Sequence, residues 1–127
     1  MPVTNLIGGW VGMLAGVLSG AVIGLLFHRD DWMGGYGSYR RRLTRLGHIS
    51  FFGLGFLNLL FAATAIQLNL SGNWLATASW GLMAGAITMP VCCFLSAWRK
   101  PLRHLFPIPV LSVTAGILSI LMGWWRR

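Results

Sequence analysis

At 127 residues, 56% of them hydrophobic and only 9% charged, the chain carries far fewer charges than the roughly 25% of an ordinary soluble domain, which excludes a conventional water-soluble core and places the chain in lipid. Ten Lys and Arg against two Asp and Glu give a formal charge of +8, yet too little of the chain is polar to build the basic face of a soluble nucleic-acid-binding domain. The two cysteines, Cys92 and Cys93, are adjacent in an apolar run and imply neither a disulfide framework nor a paired-cysteine metal site.

The first apolar segment covers residues 6–27. No Lys or Arg precedes it, so it lacks the basic start of a secretory signal and reads as a retained membrane span. Within it Gly8, Gly12, Gly16, Gly20 and Gly24 recur every fourth residue. A glycine inside a helix costs about 1 kcal/mol relative to alanine, so such a row is expected where a second helix approaches closely, as small-residue faces allow in membranes. A spacing of four drifts about 40° per step around the helix. One straight neighbour therefore cannot cover the row, which predicts either a right-handed crossing or a bundle helix at one end and a different molecule at the other.

Residues 28–47 hold Arg29, Arg40, Arg41, Arg42 and Arg45, with Asp30 and Asp31 beside Arg29. Gly34, Gly35 and Gly37 predict a flexible loop, and Ser38 is a natural N-cap for a helix that begins above the membrane. The second span, 48–68, carries Asn58 near its middle, a candidate for an interhelical hydrogen bond. An uncharged turn leads to the third span, 74–98, where Gly81 and Gly85 form another bare face and Pro90 predicts a kink. Residues 99–105 bring Arg99, Lys100 and Arg103, and the fourth span, 106–125, repeats small residues around Gly116. Gly81, Gly85, Gly116 and the first-span row are the expected helix-packing positions of a tight bundle.

Each run is close to the roughly 20 residues that cross a bilayer, and spanning backbone must satisfy its own hydrogen bonds. The expectation is a single all-α integral membrane domain, a bundle of four transmembrane helices. The first and third loops share a side and hold every Lys and Arg except Arg126 and Arg127. The positive-inside rule puts that side in the cytoplasm and both termini outside, as in a bacterial inner membrane. Arg40, Arg41, Arg42, Arg45, Arg99, Lys100 and Arg103 would form a basic collar for anionic lipid headgroups or for the carboxylates of a partner subunit.

Three histidines, His28, His48 and His104, fall on that same side. Imidazole ligates haem iron, and Thr44-x-x-x-His48 resembles the small-x-x-x-His pattern of pigment-binding antenna helices, which implies a pigment ligated by His48. Haem or pigment held by His48 with His104 or His28 is one reading, and wetted headgroup contacts are the simpler one. No metal site and no convergent catalytic set is visible, so an enzyme is not expected. The favoured expectation is a non-catalytic accessory or scaffold subunit of a larger membrane complex, respiratory or photosynthetic, with lipids and other membrane subunits or further copies of itself as partners and no nucleic acid. An electron-transfer protein and a small channel or transporter are the alternatives.

Overall fold

The computed structural model describes residues 2–126, which form four long helices: α1 (Pro2–Phe27), α2 (Tyr39–Gln67), α3 (Trp74–Trp98) and α4 (Pro107–Trp125). Two short 3-10 segments, Trp32–Gly34 and Lys100–Leu105, join α1 to α2 and α3 to α4. All four helical segments are long and apolar enough to cross a membrane.

The helix ends follow from local chemistry. Helix α1 begins at Pro2, earlier than the apolar run, because proline at the first helical position loses no hydrogen bond and has its φ preset. Helix α2 begins at Tyr39, where the Ser38 hydroxyl accepts from the Arg41 backbone N–H at 3.1 Å. It ends in a Schellman turn: Asn69 takes the left-handed conformation at φ 48°, and the Leu70 and Asn69 N–H groups donate to the Ala65 and Ile66 carbonyls at 2.9 and 3.2 Å. Helix α3 continues as one helix through the buried Pro90.

The connection between α1 and α2 is tied down rather than loose. Met33, Gly34 and Gly35 all have positive φ and reverse the chain. The Ser38 hydroxyl then donates to the Met33 carbonyl at 2.6 Å, and the Tyr36 hydroxyl to the Phe27 carbonyl at 3.1 Å. The flexibility expected from the glycines is taken up by the reversal itself.

The helices pack in chain order, α1 on α2, α2 on α3 and α3 on α4, with α1 touching α3 more lightly. This corrects the expected tight bundle, since α1 and α4 lie at the two flanks and keep wide apolar faces uncovered, among them Trp10, Leu14, Leu18, Leu111 and Leu118. A small core of Phe61, Ala78 and Leu82 holds α2 against α3, with Val113 and Ile120 of α4 against it. Cys92 and Cys93 are buried between elements as free thiols.

Glycines set the closest approaches. A Cβ on Gly12 would lie 3.3 Å from the Phe51 carbonyl oxygen, one on Gly16 would meet the Phe52 ring, and one on Gly20 the His48 ring, so the middle of the row lies against α2. Gly8 instead meets Met83 of α3, and Gly24 has nothing within 4 Å, which removes it from the packing set. The drift of the row is thus resolved inside the chain: α3 at one end, α2 through the middle, open space at the last step. The second helix also contributes bare points that the sequence reading left out. A Cβ on Gly55 would come 3.0 Å from the Gly9 carbonyl oxygen, and Gly47 admits the Phe94 ring. On the other side, Gly81 meets the backbone of Ser112 and Gly116, and Gly85 meets Val113.

Candidate functional site

Two buried polar nodes hold the helices together, one near each end of the bundle. Asn5 of α1, Asn58 of α2 and Ser79 of α3 are all buried. Asn5 follows from the early start of α1, which puts it one turn before Gly9 on the face toward α2 and α3. Its Nδ2 donates to Asn58 Oδ1 at 2.6 Å and to the Ser79 carbonyl at 3.2 Å. The Ser79 hydroxyl donates to Asn5 Oδ1. Asn58 Nδ2 donates to the Leu54 and Leu82 carbonyls at 2.9 and 3.2 Å. Each amide hydrogen and both amide oxygens are therefore occupied, and three helices are fixed in register. Asn58 makes the interhelical bond expected of it, and Asn5, which precedes the apolar run 6–27, joins it because α1 begins at Pro2.

The second node is Arg41, whose side chain is fully buried. Its guanidinium carbon lies 3.8 Å from the centre of the Tyr36 ring, 4.4 Å from Phe27 and 5.2 Å from Trp32. One terminal nitrogen donates to the Arg29 carbonyl at 3.0 Å and the other to the Phe27 carbonyl. The Phe27 carbonyl ends α1 and has no backbone partner within it, the Arg29 carbonyl lies two residues beyond in the turn that follows, and the negative pole of the helix dipole adds to their pull on a cation. Among the described residues no carboxylate reaches Arg41, and its Nε has no hydrogen-bond partner. Among the described residues Asp31 pairs with Arg29 alone, at 3.8 Å on an exposed edge.

Arg40 does for α3 what Arg41 does for α1, donating from Nε to the Ala97 carbonyl at 3.1 Å. Neighbouring residues on a helix point about 100° apart, so consecutive arginines reach two different helix ends. A cation is unfavourable at the start of its own helix. The C-termini of α1 and α3 on either side offset that cost.

These contacts correct the expected collar. Arg41 is withdrawn from any lipid or partner surface because it is sealed among rings and carbonyls, whereas Arg40 stays exposed with its Nε held by α3. Arg45 lies 5.8 Å over Phe27, Arg99 4.9 Å over Trp98 and Lys100 5.4 Å over Tyr39. Arg42 and Arg103 are exposed, and their side chains take no partner among the described residues.

The histidines do not share one setting. His48 is half-buried, with its ring seated in the notch left by Gly20, its Nδ1 3.0 Å from the Ser19 hydroxyl and its edge against Phe52. His28 and His104 are exposed at the end of α1 and in the 3-10 segment before α4. Among the described residues no hydrogen bond or ring contact joins the three, and no cluster of His, Cys, Asp and Glu with metal-ligating composition forms. The visible role of His48 is to fill a helix contact. No protein-family model, curated protein or solved structure matches the chain, so the functional reading rests on these contacts.

Proposed function

We propose that the chain is a non-catalytic accessory or scaffold subunit of a larger, energy-transducing membrane complex. In this reading its four helices span a bacterial inner membrane, the arginine-rich end faces the cytoplasm and both termini lie outside. The observation that carries it is the use of the buried polar groups. The Asn5, Asn58 and Ser79 network and the Arg41 cage both serve to fix helices to one another, while the flanks of α1 and α4 offer apolar surface to neighbours. A rigid body with two open flanks suits a subunit that seats other membrane helices.

Photo-crosslinking residues placed at Leu14 and Leu18 on α1 and at Leu118 on α4 test the proposal in the native membrane. Adducts with other membrane proteins, and co-migration with them in mild detergent, are expected. Adducts with lipid alone from all three positions would sink it. A visible absorption band in the purified protein would favour the haem or pigment alternative instead.

A further inference from the structure

The distribution of uncommitted charge at the basic end is uneven, and it coincides with a groove. Arg40, Arg41, Arg45, Arg99 and Lys100 are each engaged by a carbonyl or a ring of the chain itself. Arg42 and Arg103 are the exposed arginines of this end whose side chains have no such partner among the described residues, and the two acids lie on the far side of α2, beside the end of α1. Arg42 stands one turn before Leu46 and on one helical stripe with Ile49 and Gly53, by its spacing of four, seven and eleven residues. Leu46, Ile49 and Gly53 line an open apolar groove of about 600 Å³ between α2 and α4, with Met89 of α3, and with Phe106 and Val113 on the α4 side. Arg103 and His104 come within one turn before Phe106, as Arg42 comes one turn before Leu46, so each of the two walls carries an exposed arginine next to its first lining residue.

We infer that this groove is a binding site for one anionic glycerophospholipid, its acyl chain lying between α2 and α4 and its phosphate held by Arg42 and Arg103. Side chains on a helix lean toward its N-terminus, which carries the Arg42 guanidinium away from the apolar wall and toward the headgroup level. A hydrocarbon chain matches a wall made of aliphatic and aromatic groups, and a phosphate matches two guanidinium forks. The groove on the other side of the molecule, between α1 and α3, supplies the contrast. It holds about 490 Å³ and is lined by residues such as Val3, Ile7, Val11 and Ile87, and no Lys or Arg lies within four residues of any residue of its lining, whereas Arg42 and Arg103 each lie within a turn of the lining of the first groove. It is suited to lipid tails without choice of headgroup.

The inference rests on membrane residence but not on the subunit proposal, since it concerns the purified chain alone. Native mass spectrometry of the full chain, released from detergent with equimolar dioleoyl phosphatidylglycerol and dioleoyl phosphatidylcholine at low salt, reads it directly. The wild-type chain is expected to retain one phosphatidylglycerol preferentially. Each basic residue near an anionic headgroup is worth about a factor of five in affinity, so Arg42→Gln with Arg103→Gln is expected to lower the preference about twenty-five-fold.

Gly53→Leu provides the second arm. A Cβ at Gly53 meets nothing within 4 Å, so leucine there fills the groove without disturbing the helix contacts and leaves the thermal melt unchanged. It is expected to remove the tightly held lipid whatever its headgroup. Arg99→Gln, which touches only the Trp98 side, serves as the control and is expected to change nothing. The inference is overturned if Gly53→Leu leaves lipid retention intact, or if the paired arginine variant behaves like Arg99→Gln. It is equally overturned if the arginine pair proves necessary only for crosslinks to another protein, because the groove then seats a polypeptide. A wild-type chain that shows no preference for phosphatidylglycerol while its α1 and α4 crosslinks are intact would reject this site and leave the subunit proposal standing.

Discussion

The two polar nodes solve the same problem by opposite means. At one end Asn5, Asn58 and Ser79 satisfy one another and nearby carbonyls through neutral hydrogen bonds, so nothing in the node depends on charge. At the other, Arg41 brings a full positive charge into a buried site with no counter-ion, and aromatic faces and helix-end carbonyls take the place of a carboxylate. A neutral amide pair can be placed deep among helices because its burial cost is modest once bonded. A guanidinium is tolerated only where a helix end offers unpaired carbonyls and a negative dipole. The chemistry of each node is thus matched to its position along the helices.

Arg41→Ala breaks that comparison most severely. It removes the charge-assisted bonds to the Phe27 and Arg29 carbonyls and leaves a void among three rings, and such bonds contribute about 1.5 to 3 kcal/mol each. A loss of about 3 kcal/mol is expected, measured by reversible unfolding in mixed detergent. Arg41→Lys keeps the charge but not the planar fork. It is expected to recover about half of that loss, and full recovery would show that charge alone, without bidentate geometry, holds the end of α1. Asn5→Leu or Asn58→Leu alone leaves a buried amide without its partner and is expected to cost about 1 kcal/mol. The double variant is expected to cost less than the sum, because replacing both partners removes the stranded group. A strictly additive cycle would mean that the two amides act separately. The smallest effect belongs to Asp31→Asn, since the exposed pair with Arg29 contributes little and no measurable change in the melt is expected.

Much of the architecture was legible because apolar runs of spanning length can do little else, and Ser38, Asn58 and the middle of the first glycine row announced themselves by residue type. The rest was hidden for identifiable reasons. Asn5 falls one residue before the apolar run that begins at residue 6. Once α1 starts at Pro2, its spacing to Gly9 and Gly12 puts it on the packing face. Arg41 sits in a run of three arginines, and nothing local separates it from Arg40 and Arg42. What separates them is the 100° turn between successive residues together with the identity of the neighbours, and only the packed structure supplies those. Trp32 and Tyr36 are two walls of the Arg41 cage, a role that their residue type alone does not assign. Gly47 and Gly55 carried no periodic signal, since each is bare for one facing contact: a phenylalanine ring in the first case, the α1 backbone in the second.

The chain-order packing of α1 on α2, α2 on α3 and α3 on α4 has a consequence for how the molecule is made. Each helix after α1 finds a packing partner already synthesised and immediately upstream, so the closures needed are between neighbours in the chain, which are the quickest to form. The amide lock needs only α1 to α3, and the Arg41 cage only α1 and α2. A nascent chain halted before α4 already contains all the residues of both nodes. Assembly then proceeds from the N-terminus without waiting for the last helix, and α4 joins a frame that is already set.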